Sequence, residues 1–132
     1  MQFFLHGQIT KAAAEAALIR HSHRIVPEGA SGENMPTPDG ADSRREFFAH
    51  LAKNQWELIT TDADLVHQFY NDKIDFNRSI ILLVGSAGED QPGAIDRLFA
   101  RYPRLSPQRL YTLTSGRVKI RQLPGAGGTP AK

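Results

Sequence analysis

The chain has 132 residues, 40% of them hydrophobic and 23% charged, which suffices for one folded domain with its own core. It contains no cysteine, which excludes disulfides and thiolate metal sites, and its longest apolar run, Ile80 to Val84, is too short to span a membrane. The net charge is +2, but residues 97–132 carry eight Lys or Arg and no acid, which fits either attraction of a polyanion or a solubilising surface.

The first part of the chain predicts two strands around one helix. Residues 2–5 form an apolar run typical of a strand, and residues 24–26 form a second. Between them, residues 9–21 are alanine-rich without Gly or Pro, which predicts a helix. Helical spacing predicts the face that packs on a sheet, formed by Ile9, Ala12, Ala13, Ala16 and Ile19 or Arg20.

The N-terminus lacks the regions of a signal peptide, so we expect a cytoplasmic protein.

The middle of the chain opens with residues 27–43, whose three prolines and three glycines predict a long mobile loop. Ser43 and Glu46 then predict a capping box that opens a helix ending near Asn54. The remaining predicted elements are a strand at 57–60, a helix from Asp62 to about Tyr70, a strand at 79–84, a helix at 92–101, a hairpin of strands 110–114 and 117–123, and a disordered tail at 124–132.

This alternation predicts an α/β domain over residues 1–123, with a mainly parallel sheet, helices on both faces and a C-terminal hairpin. Its predicted buried core consists of Leu5, Ile25, Leu58, Ile59, Ile81, Leu83, Leu98 and Phe99.

Polar side chains follow three of the predicted strands: His6, then Asp62 with Asp64, then the segment 85–90. Paired carboxylates at a strand end can hold hydrated Mg²⁺ or Mn²⁺, which activates water and neutralises a phosphodiester. Asp62 is equally a natural helix N-cap and Asp64 a favourable first-turn acid. Segment 85–90 lacks the lysine of a phosphate-binding loop, which favours an ordinary turn.

Several of these segments together resemble small PIN-like proteins related to toxin ribonucleases. The family pattern opens with an apolar strand, Asp-Glu-Asn, a helix and a Gly-His-Asp-Val-like turn, to which residues 3–8 and 21–26 are similar. Residues 58–65 resemble the family's apolar strand followed by Thr-Asn-Asp-x-Asp-Phe, and residues 110–124 resemble its C-terminal hairpin.

The resemblance implies a three-layer α/β/α sandwich whose acids bind Mg²⁺ or Mn²⁺ for RNA cleavage. It implies Asp62 and Asp64 as catalytic residues and metal ligands, with one further acid from the helix near Ser43, either Glu46 as a catalytic residue or Asp42 as a metal ligand. His6 occupies the remaining ligand position. The chain departs from the family at His6, which stands where the family has an aspartate, and imidazole suits Mn²⁺ better than Mg²⁺.

A basic stripe is predicted on the last strand, where Arg117, Lys119 and Arg121 alternate on one face. They fit either contact with a phosphate backbone or a charged edge that prevents aggregation. Aromatic residues for base stacking are sparse near this strand, and Tyr111 is the one nearby candidate.

Two functions remain open. The first is a metal-dependent endoribonuclease of toxin-antitoxin type, with RNA as substrate and an antitoxin-like protein as partner. The second is a non-catalytic module of the same fold that binds nucleic acid or protein. We expect no membrane partner, and the sequence leaves oligomerisation open. A flavodoxin-like receiver is disfavoured by the hairpin and by the missing acid on the first strand.

Overall fold

The structure is a computed structural model that describes residues 1–26, 36–85, 90–114 and 116–124. In these ranges it has six strands and four helices, in the predicted α/β alternation. They are β1 (Gln2–His6), α1 (Lys11–Arg20), β2 (Arg24–Ile25), α2 (Ala41–Lys53), β3 (Trp56–Thr60), α3 (Ala63–Asn71), β4 (Ile80–Leu83), α4 (Gln91–Arg101), β5 (Arg109–Thr114) and β6 (Arg117–Gln122). None of the described helices is both long and apolar enough for a membrane span.

The six strands form one sheet in the order β2-β1-β3-β4-β5-β6. All neighbouring pairs are parallel except β5 and β6, which form the predicted antiparallel hairpin. The first five strands have the order 2-1-3-4-5 found in flavodoxin-like sheets, and β6 extends it. In this order β2 and β3 lie on opposite sides of β1, so the winding of the chain along the sheet changes direction there, and the carboxyl ends of β1 and β3 mark the crevice where such sheets bind ligands.

Helices cover both faces of the sheet. Helices α1 and α4 pack on one face in a core that includes Leu18, Ile95 and Phe99, and α2 and α3 pack on the other around Phe48 and Phe69. Of the predicted core residues, all are buried except Leu5, which is only partly buried. Leu5 differs because it lies near the end of β1 and lines an open cavity of 320 Å³.

The predicted packing face of α1 is wrong within the helix, although Ile9, which precedes the helix, packs against the core as predicted. The residues that the helix buries are Ala14, Ala17 and Leu18, whereas the side chain of Ile19 is 59% exposed. Alanine occurs on every side of this helix, so apolar spacing does not single out one face. Contact with α4 decides the orientation instead, since small residues allow two helices to approach closely.

The start of α2 also differs from prediction, because the helix begins at Ala41 with Gly40 as its N-cap. Ser43 accepts a hydrogen bond from the Gly40 amide at 2.9 Å through its hydroxyl, which lies 2.9 Å from an Asp39 carboxylate oxygen. Glu46 is therefore outside the cap and lies exposed on the next turn. The loop predicted at 27–43 ends at residue 40; its residues 27–35, segment 86–89 and the predicted tail from 125 onward lie outside the described residues.

A buried carboxylate links β3 to the start of β4. Glu57 is only 1% exposed, and it accepts hydrogen bonds from the Ser79 amide at 2.9 Å, the Ser79 hydroxyl at 3.0 Å and Arg78 Nε at 3.0 Å. A buried charge needs such partners, and these satisfy it. They fix the amino-terminal end of the sheet's centre, opposite the edge that carries the candidate site.

Candidate functional site

The carboxyl ends of β1 and β3 bring His6 and Asp62 together through Thr60. His6 lies opposite Thr60 in the parallel register. Its Nδ1 is 2.9 Å from the Thr60 hydroxyl, and the same hydroxyl accepts the Asp62 amide at 3.0 Å. Thr60 is fully buried, so it holds both neighbours in a fixed arrangement.

Asp62 is the N-cap of α3, as one of the two sequence interpretations held. Its Oδ1 accepts a hydrogen bond from the Leu65 amide at 3.1 Å. Its charge also acts on His6. Burial lowers the pKa of the His6 imidazole below its usual value, and attraction by the Asp62 carboxylate offsets part of that decrease. The lowered pKa favours the neutral form of the imidazole, which lies within electrostatic reach of a carboxylate.

The other predicted acids lie at the surface. Asp64 is exposed in the first turn of α3, Asp42 is exposed in the first turn of α2, and Glu46 is exposed further along α2. Among the described ranges, no three His, Cys, Asp or Glu side chains form a group that could hold a metal ion. One capping carboxylate and one imidazole do not make a dedicated site for Mg²⁺, which prefers oxygen ligands.

The loop after β1 packs tightly against the loop after β3. Gly7 has a φ of +88°, and a Cβ at this position would lie 2.5 Å from the Thr61 hydroxyl oxygen. That oxygen accepts the Gln8 amide at 2.8 Å. Glycine is therefore needed here for both its backbone conformation and its small size.

The same loop is bound from its other side by Gln91, the first residue of α4. Its Nε2 donates to the Gln8 carbonyl at 2.7 Å, and its Oε1 accepts the Thr10 amide at 2.9 Å. Gln91 is only 5% exposed. Sequence reasoning missed it, although a glutamine beside the N-terminus of a helix that follows a central strand is a usable signal.

A groove separates α3 from β6, and we call it the α3–β6 groove. Its volume is about 510 Å³, and it is lined by Ala63, Val66, His67, Tyr70, Asn71, Leu82, Leu110, Thr112, Lys119 and Arg121. It begins beside Asp62, at Ala63, and follows α3 towards its C-terminus. Two of the three predicted stripe residues thus line one cavity with the exposed side of α3.

Tyr70 orients Arg121 within the groove. The guanidinium carbon of Arg121 lies 4.3 Å from the centre of the Tyr70 ring, and the Tyr70 hydroxyl donates to the Gln122 carbonyl at 3.0 Å. Burial raises the pKa of the Tyr70 phenol against the opposing effect of Arg121, so the phenol stays protonated and can donate. This cation–π contact preorganises the guanidinium.

Tyr111, the predicted stacking residue, is buried at 3% exposure and accepts the Ser106 amide through its hydroxyl at 2.9 Å. That prediction is wrong because Tyr111 points into the core between the sheet and α4. Tyr70 is the aromatic side chain at the groove instead. Tyr70 reaches the groove because its hydroxyl contacts β6, about fifty residues further along the chain, and no local sequence pattern reveals this contact.

Comparison with protein-family models, with curated proteins and with solved structures finds no match to this chain. Its function is therefore inferred from the geometry described above.

Proposed function

We propose that this chain is a PIN-like domain that binds nucleic acid, with RNA as the expected ligand, through the α3–β6 groove. The observation that carries this proposal is the lining of the groove. Lys119 and Arg121 project from one wall, Tyr70 holds Arg121 in place from the other, and none of the described residues that line the groove is a carboxylate.

The two cations are suited to phosphate rather than to base recognition. They occupy alternate positions of an exposed strand, so their heads follow one another along the groove. Neutralising phosphates releases counterions, which supplies affinity without sequence information. The PIN-like assignment is supported by the mainly parallel sheet, by Asp62 directly after an apolar strand and by the hairpin ending.

A second function, an endoribonuclease, is favoured by the pairing of His6 with Asp62 at the β1–β3 crevice. When the His6 Nδ1–H is donated to Thr60, the Nε2 lone pair faces away from that bond and can accept a proton. A divalent cation, if bound, would supply activated water and charge neutralisation. The chain's own residues then contribute one neutral base and one carboxylate, fewer acids than the resemblance implies.

Fluorescence anisotropy with a short single-stranded RNA tests the binding function. The variant Lys119→Gln/Arg121→Gln is compared with Lys53→Gln/Arg104→Gln, which removes the same charge from exposed positions away from the groove. Each lost phosphate contact reduces the log–log salt slope by about 0.7, so the groove variant should lose about 1.4 in slope and roughly tenfold in affinity at about 0.15 M salt. Equal affinity of the groove variant and the wild type contradicts the proposal.

Asp62→Asn separates the two functions, because asparagine caps a helix as well as aspartate does and folding is retained. The endoribonuclease predicts RNA cleavage in Mn²⁺ by the wild type that disappears in Asp62→Asn while RNA binding persists. It also predicts that His6→Asp increases cleavage in Mg²⁺, since the substitution restores an oxygen ligand. Absence of cleavage by the wild type in either metal leaves the binding module alone.

A further inference from the structure

Two further cavities adjoin the α3–β6 groove and carry more cations. The first, of about 460 Å³, is lined by Arg101, Thr112, Thr114, Gly116, Arg117, Val118 and Lys119, so it shares Thr112 and Lys119 with the groove. The second, of about 140 Å³, shares Arg101 and Arg117 with the first and adds Arg97. The three cavities thus form a connected series.

This series passes from one face of the sheet to the other. Lys119 pairs with Thr112 and Arg117 with Thr114, so Arg117 lies at the carboxyl end of β5. The small cavity beyond it is lined by Leu113 and Val118, which belong to the core on the α4 face. The cations therefore continue from the groove around the end of the hairpin and onto α4.

The electrostatics of the small cavity favour an anion. Arg97 and Arg101 lie one turn apart on α4 and meet Arg117 from β6, and the described residues that line the cavity include no acid. The described ion pair of Arg97 is a long one, 3.8 Å from Asp90, with both side chains more than half exposed. Such a pair is weak in water and is readily exchanged for a phosphate.

We propose that Arg97, Arg101 and Arg117 form a phosphate subsite for a single-stranded nucleic acid whose backbone continues from the α3–β6 groove around the hairpin. This inference rests on the proposed function and names its ligand class. A duplex has a persistence length of about 50 nm and cannot follow a turn around the end of two strands. A single strand can, and the three guanidinium groups that line the small cavity suit a phosphate.

Three probes test the subsite by fluorescence anisotropy: a single-stranded RNA of about four nucleotides, one of about twelve, and a twelve-base-pair RNA duplex, lengths within the usual range for small binding domains. Arg97→Gln/Arg101→Gln should weaken binding of the long strand roughly tenfold at about 0.15 M salt and reduce its salt slope by about 1.4. It should leave the short strand and the duplex unaffected, since neither reaches α4.

Arg104→Gln/Arg109→Gln is the matched control, because it removes two charges from the same acid-free segment outside all three cavities. An equal effect of this control, or an equal loss on the short strand, overturns the subsite in favour of general charge attraction. Loss of long-strand affinity in Lys119→Gln/Arg121→Gln alone refutes the subsite and retains the proposed function. Failure of the wild type to bind any probe refutes both.

Discussion

Replacing Gly7 by alanine tests whether the two loops at the carboxyl edge are as closely packed as the structure indicates. The φ of +88° places an added Cβ in a left-handed conformation that costs about 1–2 kcal/mol. The same Cβ would lie 2.5 Å from the Thr61 hydroxyl oxygen, and overpacking of this kind costs about 1–3 kcal/mol. We therefore expect Gly7→Ala to lower the free energy of unfolding by about 2–5 kcal/mol.

Gly85→Ala is the matched control. Gly85 also has a positive φ, of +59°, but no atom of the described residues lies within 4 Å of a Cβ built there. It should lose only the conformational part, about 1–2 kcal/mol. Urea unfolding followed by circular dichroism, with linear extrapolation, measures the free energy of unfolding of each variant.

A Thr61→Ala background isolates the contact itself. Removing the hydroxyl oxygen alone costs the Gln8 hydrogen bond, about 1 kcal/mol, but it also removes the atom that clashes with the new Cβ. Gly7→Ala should then cost about 1–3 kcal/mol less than it does beside the intact threonine. If Gly7→Ala is no more destabilising than Gly85→Ala, or if its cost is independent of Thr61, the close packing of these loops is refuted.

Two histidines give pH-dependent predictions. Burial lowers the pKa of His23, whose Nδ1 is buried without a hydrogen-bond partner in the described structure. Its contribution to stability is therefore complete above its unfolded pKa of about 6.5. It is lost as the pH falls below that value and through the lower folded pKa, by at most about 1.4 kcal/mol per pH unit. Chemical unfolding between pH 8 and 5 should show this loss in the wild type and in His67→Gln but not in His23→Gln; parallel curves for all three would contradict it. For His6, Asp62→Asn should lower the imidazole pKa further, because the attraction that opposes burial disappears, and an NMR titration that finds it unchanged would rule out that attraction.

The element order and the sheet's carboxyl edge were predictable from the sequence, because β-branched and apolar runs mark strands wherever both faces are covered. Ile80 to Leu83 is such a run, and all four of its residues are buried. The pairing of β1 with β3 placed His6 beside the residues preceding Asp62, as expected for strands that end at one edge. Local propensity also located the capping role of Asp62.

The groove was not predictable, because its walls come from segments far apart in the sequence. Tyr70 looked like the ordinary end of an amphipathic helix, and its contact with Arg121 exists only through the pairing of β6. The orientation of α1 failed for another reason, since alanine fits many packing faces and the choice was made by α4. The position of Gln91 at the start of a helix could have marked it as a candidate, but its partners Gln8 and Thr10 are more than eighty residues away in the sequence and only the fold brings them together.

The pairing register of β5 and β6 has a consequence for where the chain carries its charge. With Thr112 opposite Lys119, Lys119 and Arg121 project on the groove side, while Val118 packs towards the α4 core. A shift of one residue would exchange these sets, since successive side chains of a strand point to opposite faces. Length, composition and net charge would all be unchanged, yet the cationic surface would move to the other side of the sheet. The pairing register of β5 and β6 therefore decides which face of the sheet carries the cations, and the number of basic residues in the sequence does not reveal it.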